Sequence, residues 1–259
     1  MPNHDNGLKV TNFDSGVVIA LGDGHDDRVD DHGSSNTISF GNGDGDKFFA
    51  VQDSTGDTVT LGDGNHDTAI DDGGLGGNTF ILGNGNSDSV IEFDQALHST
   101  VTLGNGDHDY VALISFGFHL GQTDVTFGGP QAELDLGGAQ GPSFLTPTTR
   151  DQTSIDTSGL DVISGLVQGD HIDLWRGSAN IPTLATAANL AGVNGGAVLA
   201  TGTYNASAHS FTQSATGHDA LLTESTGFPG FVRFVSVVLV GAASDVAGSF
   251  LHHGVITLG

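Results

Sequence analysis

Five nine-residue segments of this chain align without a gap at a near-constant interval, and that interval limits what the first half can fold into. They are LGDGHDDRV from Leu21, FGNGDGDKF from Phe40, LGDGNHDTA from Leu61, LGNGNSDSV from Leu82 and LGNGDHDYV from Leu103. Each has an apolar residue, Gly-[Asp/Asn]-Gly, two free positions, Asp, one free position, and Val, Phe or Ala. The first glycines, Gly22, Gly41, Gly62, Gly83 and Gly104, are 19, 21, 21 and 21 residues apart. A sixth copy at Phe127-Gly128 reads as a decayed end unit, with Pro130 for the second glycine and Glu133 for the aspartate. Such a period is the signature of a repeat architecture in which each unit buries its apolar face on the next.

Each unit holds two strand-like pieces. Thr58-Val59-Thr60-Leu61 is echoed at 37–40, 79–82 and 100–103, and its period of two sends Val59 and Leu61 one way and the threonines the other. A second piece follows the aspartate, at 48–51, 90–93 and 111–114. Two strands and two turns in about 21 residues make one coil of a parallel β-solenoid, with coils about 4.8 Å apart. The expected core column is Ile38/Phe40, Val59/Leu61, Phe80/Leu82 and Val101/Leu103. The predicted fold is therefore all-β: a parallel β-roll or β-solenoid of five to six coils over residues 1–140, then a β-rich cap over 141–259. Residues 141–151, with two prolines, read as the transition. Within the cap, 161–164, 171–174, 197–203, 220–223 and 231–240 read as strands, and 182–190 as one short helix, with Pro182 at its start and Gly192 past its end.

Composition narrows the function. Six Lys+Arg against 31 Asp+Glu give a net charge of −25, and 28 of the acids are Asp. Residues 1–150 carry 23 acids and 4 bases, residues 151–259 carry 8 and 2. A chain this acidic repels phosphate, so nucleic acid is not the expected partner. Zero cysteines exclude a disulfide scaffold. Residues 1–10 contain no apolar signal-peptide core, and no apolar run is long enough to span a bilayer. No G-x-S-x-G, HExxH or P-loop pattern occurs, so an enzyme is not expected.

The aspartates carry the chemistry. Stacking places Asp27, Asp46, Asp67, Asp88 and Asp109 in one column, Asp23 and Asp63 in a second with Asn42, Asn84 and Asn105, and Asp44 and Asp107 two residues further along. Two carboxylates ~4.8 Å apart repel by about 3.5 kcal/mol at an effective dielectric of about 20. The four bases of this half, Lys9, Arg28, Lys47 and Arg150, do not follow the column, which leaves a multivalent cation as the simplest remedy. Hard oxygen donors without cysteine suit Ca²⁺. On this reading the glycines Gly22, Gly24, Gly41, Gly43, Gly62, Gly64, Gly83, Gly85, Gly104 and Gly106 turn the backbone with positive φ and aim carbonyls at the ion. Against it, Gly, Asn and Asp are also ordinary turn residues.

These units resemble the RTX (repeats-in-toxin) family, whose pattern is GGxGxDxUx. Gly22, Gly41, Gly62, Gly83 and Gly104 match its second glycine, Gly24, Gly43, Gly64, Gly85 and Gly106 the next, and Asp27, Asp46, Asp67, Asp88 and Asp109 the metal-ligating aspartate. One extra residue stands before that aspartate (Asp26, Gly45, His66, Ser87, His108), and only one of the two turns per coil carries the motif. The resemblance covers residues 17–136 and implies a calcium-loaded β-roll. Residues 161–174 and 236–251 are similar to regions that follow such repeats in type I secreted proteins, implying export through an uncleaved C-terminal signal and folding on external calcium. The expected role is a secreted structural or interaction protein of the cell surface or matrix, with calcium ions as ligands and self-association through solenoid edges or shared ions. Two alternatives stay open: an ice- or crystal-surface-binding solenoid, from the Thr37/Ser39, Thr58/Thr60, Thr79 and Thr100/Thr102 ladder, and a polysaccharide-acting β-helix enzyme. The histidines read as turn or solvated residues.

Overall fold

The computed structural model describes residues 6–51, 54–72, 76–93, 98–114, 122–136, 152–174, 184–187, 197–225, 234–245, 248–252 and 255–259. The repeat region forms β1 (Lys9–Asn12), β2 (Val18–Ala20), β3 (Arg28–Asp31), β4 (Thr37–Ser39), β5 (Lys47–Val51), β6 (Thr58–Thr60), β7 (Thr68–Asp72), β8 (Thr79–Ile81), β9 (Ser89–Phe93), β10 (Ser99–Thr102), β11 (Tyr110–Ile114), β12 (Thr123–Thr126) and β13 (Glu133–Asp135). Odd-numbered strands stack in one sheet and even-numbered strands in the other, every neighbouring pair parallel. This is the parallel β-solenoid that the period predicts.

Alternation decides which side chains enter it. Val59 of β6 is fully buried between half-buried Thr58 and Thr60, and register sets it on Ile38 and Phe80. All eight residues of the expected core column are buried, and Val29, Phe48, Ala69, Val90 and Val111 face them from the other sheet. The Phe48 and Phe80 rings meet across the interior at 6.0 Å, tilted by 54°. Fully burying such a side chain is worth about 1.5–3 kcal/mol.

The remaining strands are β14 (Ser154–Asp156), β15 (Asp161–Ser164), β16 (His171–Asp173), β17 (Leu184–Ala187), β18 (Ala197–Asn205), β19 (Ser210–Gln213), β20 (Asp219–Ser225), β21 (Phe234–Val240), β22 (Phe250–His252) and β23 (Val255–Thr257). Parallel stacking runs past residue 140: β15 continues from β12 and β16 from β13. Beyond them the sheets turn mostly antiparallel, through β21, β20, β18, β19 and β14 on one side and β23 and β22 on the other. One apolar cluster runs from Val29 to Leu258, so cap and solenoid share a core.

Two expectations are corrected. Within 182–190, residues 184–187 form β17, paired parallel to the edge of β18, rather than a helix. Nine residues are too few for a helix to hold on propensity alone, and the edge of β18 supplies a ladder instead. The sixth unit keeps its second glycine and loses a residue elsewhere: Gly128 stacks on Gly104, Gly129 on Gly106, and Glu133 pairs with Tyr110. Ala132, not Glu133, thus occupies the aspartate position, while Pro130 aligns with Asp107. The transition at 141–151 lies outside the described residues. Among the described residues no helix is long and apolar enough to cross a membrane.

Candidate metal centre

The glycine turn is shaped by close packing between coils. A Cβ on Gly62 would stand 1.9 Å from the Gly41 carbonyl oxygen, and one on Gly64 would stand 1.7 Å from that of Gly43. No side chain fits in either gap, and Gly41, Gly43, Gly83, Gly85, Gly104 and Gly106 sit the same way. Positive φ is found two residues after the second glycine instead, just before the aspartate position: Asp26 (59°), Gly45 (78°), His66 (62°), Ser87 (61°), His108 (64°) and, before Ala132, Gln131 (60°). The glycines therefore answer to contact rather than to φ, and the residue inserted relative to the RTX pattern is the one that takes the left-handed bend. That bend costs a non-glycine residue about 1–2 kcal/mol, and it swings the following aspartate inward.

Asp27, Asp46, Asp67, Asp88 and Asp109 are 0–2% exposed. Each Oδ1 accepts a backbone N–H from the previous coil: Leu8 to Asp27 (2.8 Å), Asp27 to Asp46 (2.9 Å), Asp46 to Asp67 (3.0 Å), Asp67 to Asp88 (3.0 Å) and Asp88 to Asp109 (3.1 Å). Every Oδ2 is buried with no hydrogen-bond partner among the described residues. Burial pushes the carboxyls of Asp46 and Asp109 up to about 6 and those of Asp67 and Asp88 to about 7. The next carboxylate in the column adds to the rise for Asp46, Asp67 and Asp88, and the accepted N–H groups oppose it. After Ala132 the column resumes at Asp170, whose Oδ1 takes the Ala132 N–H and whose Oδ2 takes that of Val167.

The other aspartates of the motif point outward. Asp23, Asn42, Asp63, Asn84 and Asn105 are exposed, and each side-chain oxygen of the first four accepts the backbone N–H of the next coil at 2.8–3.1 Å. Asp44 and Asp107 belong to a parallel outward ladder with His25, Asn65 and Asn86. Hydrogen bonds from Asn65 hold the Asp44 carboxyl below its usual range. His66 and His108 are exposed turn residues. The motif's ligand candidates therefore divide between an inward column and two outward ones.

The opposite turn, which lacks the glycine motif, holds a second buried ladder that is not among the residues singled out from sequence. Asn36, Asp57, Asn78, Ser99, Thr123 and Asp161 share one column, one residue ahead of the outward threonine positions. Val17 N–H donates to Asn36 Oδ1, Asn36 N–H to Asp57 Oδ1, Asp57 N–H to Asn78 Oδ1 and Thr123 N–H to Asp161 Oδ1, all at 2.8–2.9 Å. Acids at the ends of the odd strands brace it: Asn36 Nδ2 donates to Asp31, Asn78 Nδ2 to Asp71 and Thr123 Oγ1 to Glu92. The signal was present, since Asn36, Asp57, Asn78 and Ser99 recur every 21 residues.

Among the described residues no three His, Cys, Asp or Glu side chains gather as a metal-holding group. What the inward column offers a hard cation is one unpartnered carboxylate oxygen per coil. No protein-family profile, curated protein or solved structure matches the chain.

Proposed function

We propose that the chain is a calcium-binding β-solenoid with a structural or interaction role at the cell surface or in the extracellular matrix, as its RTX resemblance implies. One contrast between columns carries the reading. Where a ladder needs only an acceptor oxygen, this chain uses Asp and Asn interchangeably: Asp23, Asn42, Asp63, Asn84 and Asn105 outside, Asn36, Asp57 and Asn78 in the second turn. In the inward column all five coils use Asp, although a buried amide costs less than a buried acid. The second oxygen is what asparagine cannot supply, and that oxygen is the unpartnered one.

Asp27, Asp46, Asp67, Asp88 and Asp109 would hold the ions, with oxygens of the glycine turns as further ligands. Calcium supplies positive charge that lets stacked carboxylates ionise together. Asp23, Asp44, Asp63 and Asp107 raise the local cation concentration from outside. At low calcium, self-repulsion loosens the chain, and external calcium folds it after export. Calorimetric titration with Ca²⁺, followed by circular dichroism, tests this. Saturable binding with a gain of β signal is expected; a native spectrum in excess chelator with no heat of binding refutes it.

A second reading has its own observation. Thr37, Thr58, Thr79 and Thr100 form one outward column and Ser39, Thr60, Ile81, Thr102 and Thr126 another, in strict register on the even-numbered sheet. An array of hydroxyls and methyls in register, interrupted at Ile81 and at Asp124 beside Thr100, fits an ordered-water or crystal surface. Thermal hysteresis of the folded protein, abolished by Thr60→Tyr, would establish it; none in the wild type removes it.

A further inference from the structure

The two outer faces of the solenoid differ. Threonine and serine columns cover the even-numbered sheet, but the odd-numbered sheet turns outward a pattern that changes from one end to the other. Lys9, Arg28 and Lys47 stand in register on β1, β3 and β5, and they are all the Lys and Arg among the described residues. Thr68 and Ser89 continue this column, and Tyr110, Glu133 and His171 close it on β11, β13 and β16. The next outward column is apolar along its middle: Phe49, Ile70, Ile91 and Ala112 lie in register and lead to Asp135. Phe49, Ile70 and Ile91 are partly exposed and lie outside both apolar clusters of the fold. The Arg28 guanidinium lies over the Phe49 ring at 3.9 Å, joining the two columns. Asp30 pairs with Lys9 and Arg28, while Lys47 and, at the acidic end, Glu133 are exposed without an ion pair among the described residues.

A face with bases at one end, acids at the other and apolar side chains between is complementary to itself turned end for end. We propose that two copies of this chain pair through the outer face of the odd-numbered sheet, about a two-fold axis running along the strands between β7 and β9. That axis sets Ile70 against the partner's Ile91, Phe49 against the short side chain of the partner's Ala112, and Arg28 and Lys47 around the partner's Glu133. The other two-fold axis open to the face, along the solenoid, would set the basic end on the basic end, and like charges held opposite one another repel. Charge therefore selects the first. Area suffices as well: eight strands about 4.8 Å apart, with outer stretches of about five residues, give a face of roughly 35 Å by 16 Å. Two such faces remove about 1,100 Å² from solvent, near the lower bound of a specific interface. Phe49, Ile70 and Ile91 supply the apolar centre, and the charged ends form the rim. The contact is isologous, so it closes at two copies. It requires the folded solenoid but makes no use of the ions of the glycine turns.

The test is sedimentation velocity of the full chain in saturating calcium, with circular dichroism run on each sample. The wild type should sediment as a dimer at micromolar concentration. Lys47→Glu and Glu133→Lys should each raise the dimer dissociation constant at least tenfold, and the double variant should recover most of that loss. Ile70→Lys should give a monomer. Because the chain has no cysteine, a mixture of Ile70→Cys and Ile91→Cys variants should form a disulfide-linked dimer on oxidation faster than either variant alone. A wild type that is monomeric at hundred-micromolar concentration overturns the proposal, as does a dimer that Ile70→Lys leaves intact or a double variant weaker than both single ones. Should Ile70→Lys lose the β signal, the charge swap decides, since Lys47 and Glu133 are both exposed and outside the core. Absence of calcium binding would overturn the metal reading and leave these outcomes as they stand.

Discussion

Replacing Asp67 with asparagine separates the two roles of an inward aspartate. Asparagine keeps the oxygen that accepts the Asp46 N–H and replaces the unpartnered Oδ2 with an amide. Asp67 is fully buried between Asp46 and Asp88, and burial first, then those neighbours, raises its carboxyl from 3.8 to about 7. Such a shift corresponds to at most about 4 kcal/mol of unfavourable ionisation above pH 7. Solvent close to the turn screens part of it, leaving about 1–2 kcal/mol. In chelator at pH 8, where self-repulsion loosens the wild type, Asp67→Asn should therefore favour the folded form by about that amount, read as a larger β signal by circular dichroism. In saturating calcium the order should reverse, because the ion loses a charged ligand. A variant equally destabilised in both conditions would refute the reasoning: it would mean that Asp67 serves only its hydrogen bond and shape.

Further outcomes follow from the same geometry. Asp46 and Asp109 at about 6, and Asp67 and Asp88 at about 7, bind protons in the folded state that the unfolded chain has lost. Their stabilisation is full below about pH 4 and is lost as pH rises through 6–7, so the calcium-free β signal in circular dichroism should fall from pH 5 to 8, and calcium should flatten that slope. Gly64→Ala should cost more than about 3 kcal/mol or prevent folding, since the Gly43 carbonyl stands 1.7 Å from the added carbon; a melting temperature within a few degrees of the wild type would contradict it. His66→Gly should raise stability by about 1 kcal/mol in thermal unfolding, because His66 holds φ at 62° with an exposed side chain.

The sequence by itself determined the coil. A period of 21 with Thr-Val-Thr alternation admits one economical structure, and Ile38, Val59, Phe80 and Val101 were identifiable as core because each occupies the same phase of its strand. Asp27, Asp46, Asp67, Asp88 and Asp109 were identifiable as a column for the same reason. Tertiary structure decided which oxygens of that column are satisfied, since the N–H that meets each Oδ1 comes from a residue 19–21 positions away. It also decided why the glycines are glycines: the Gly43 carbonyl that excludes a side chain at Gly64 belongs to the neighbouring coil, and local turn rules point to φ instead. Residues 184–187 became a strand because β18 had an edge to fill. Glu92 gave no sign in sequence, where Val-Ile-Glu-Phe reads as a strand with one polar residue. Its burial beside Thr123 arises only when residues 31 positions apart are wound onto the same side of the solenoid, because a hydrogen bond depends on distance through space and not along the chain.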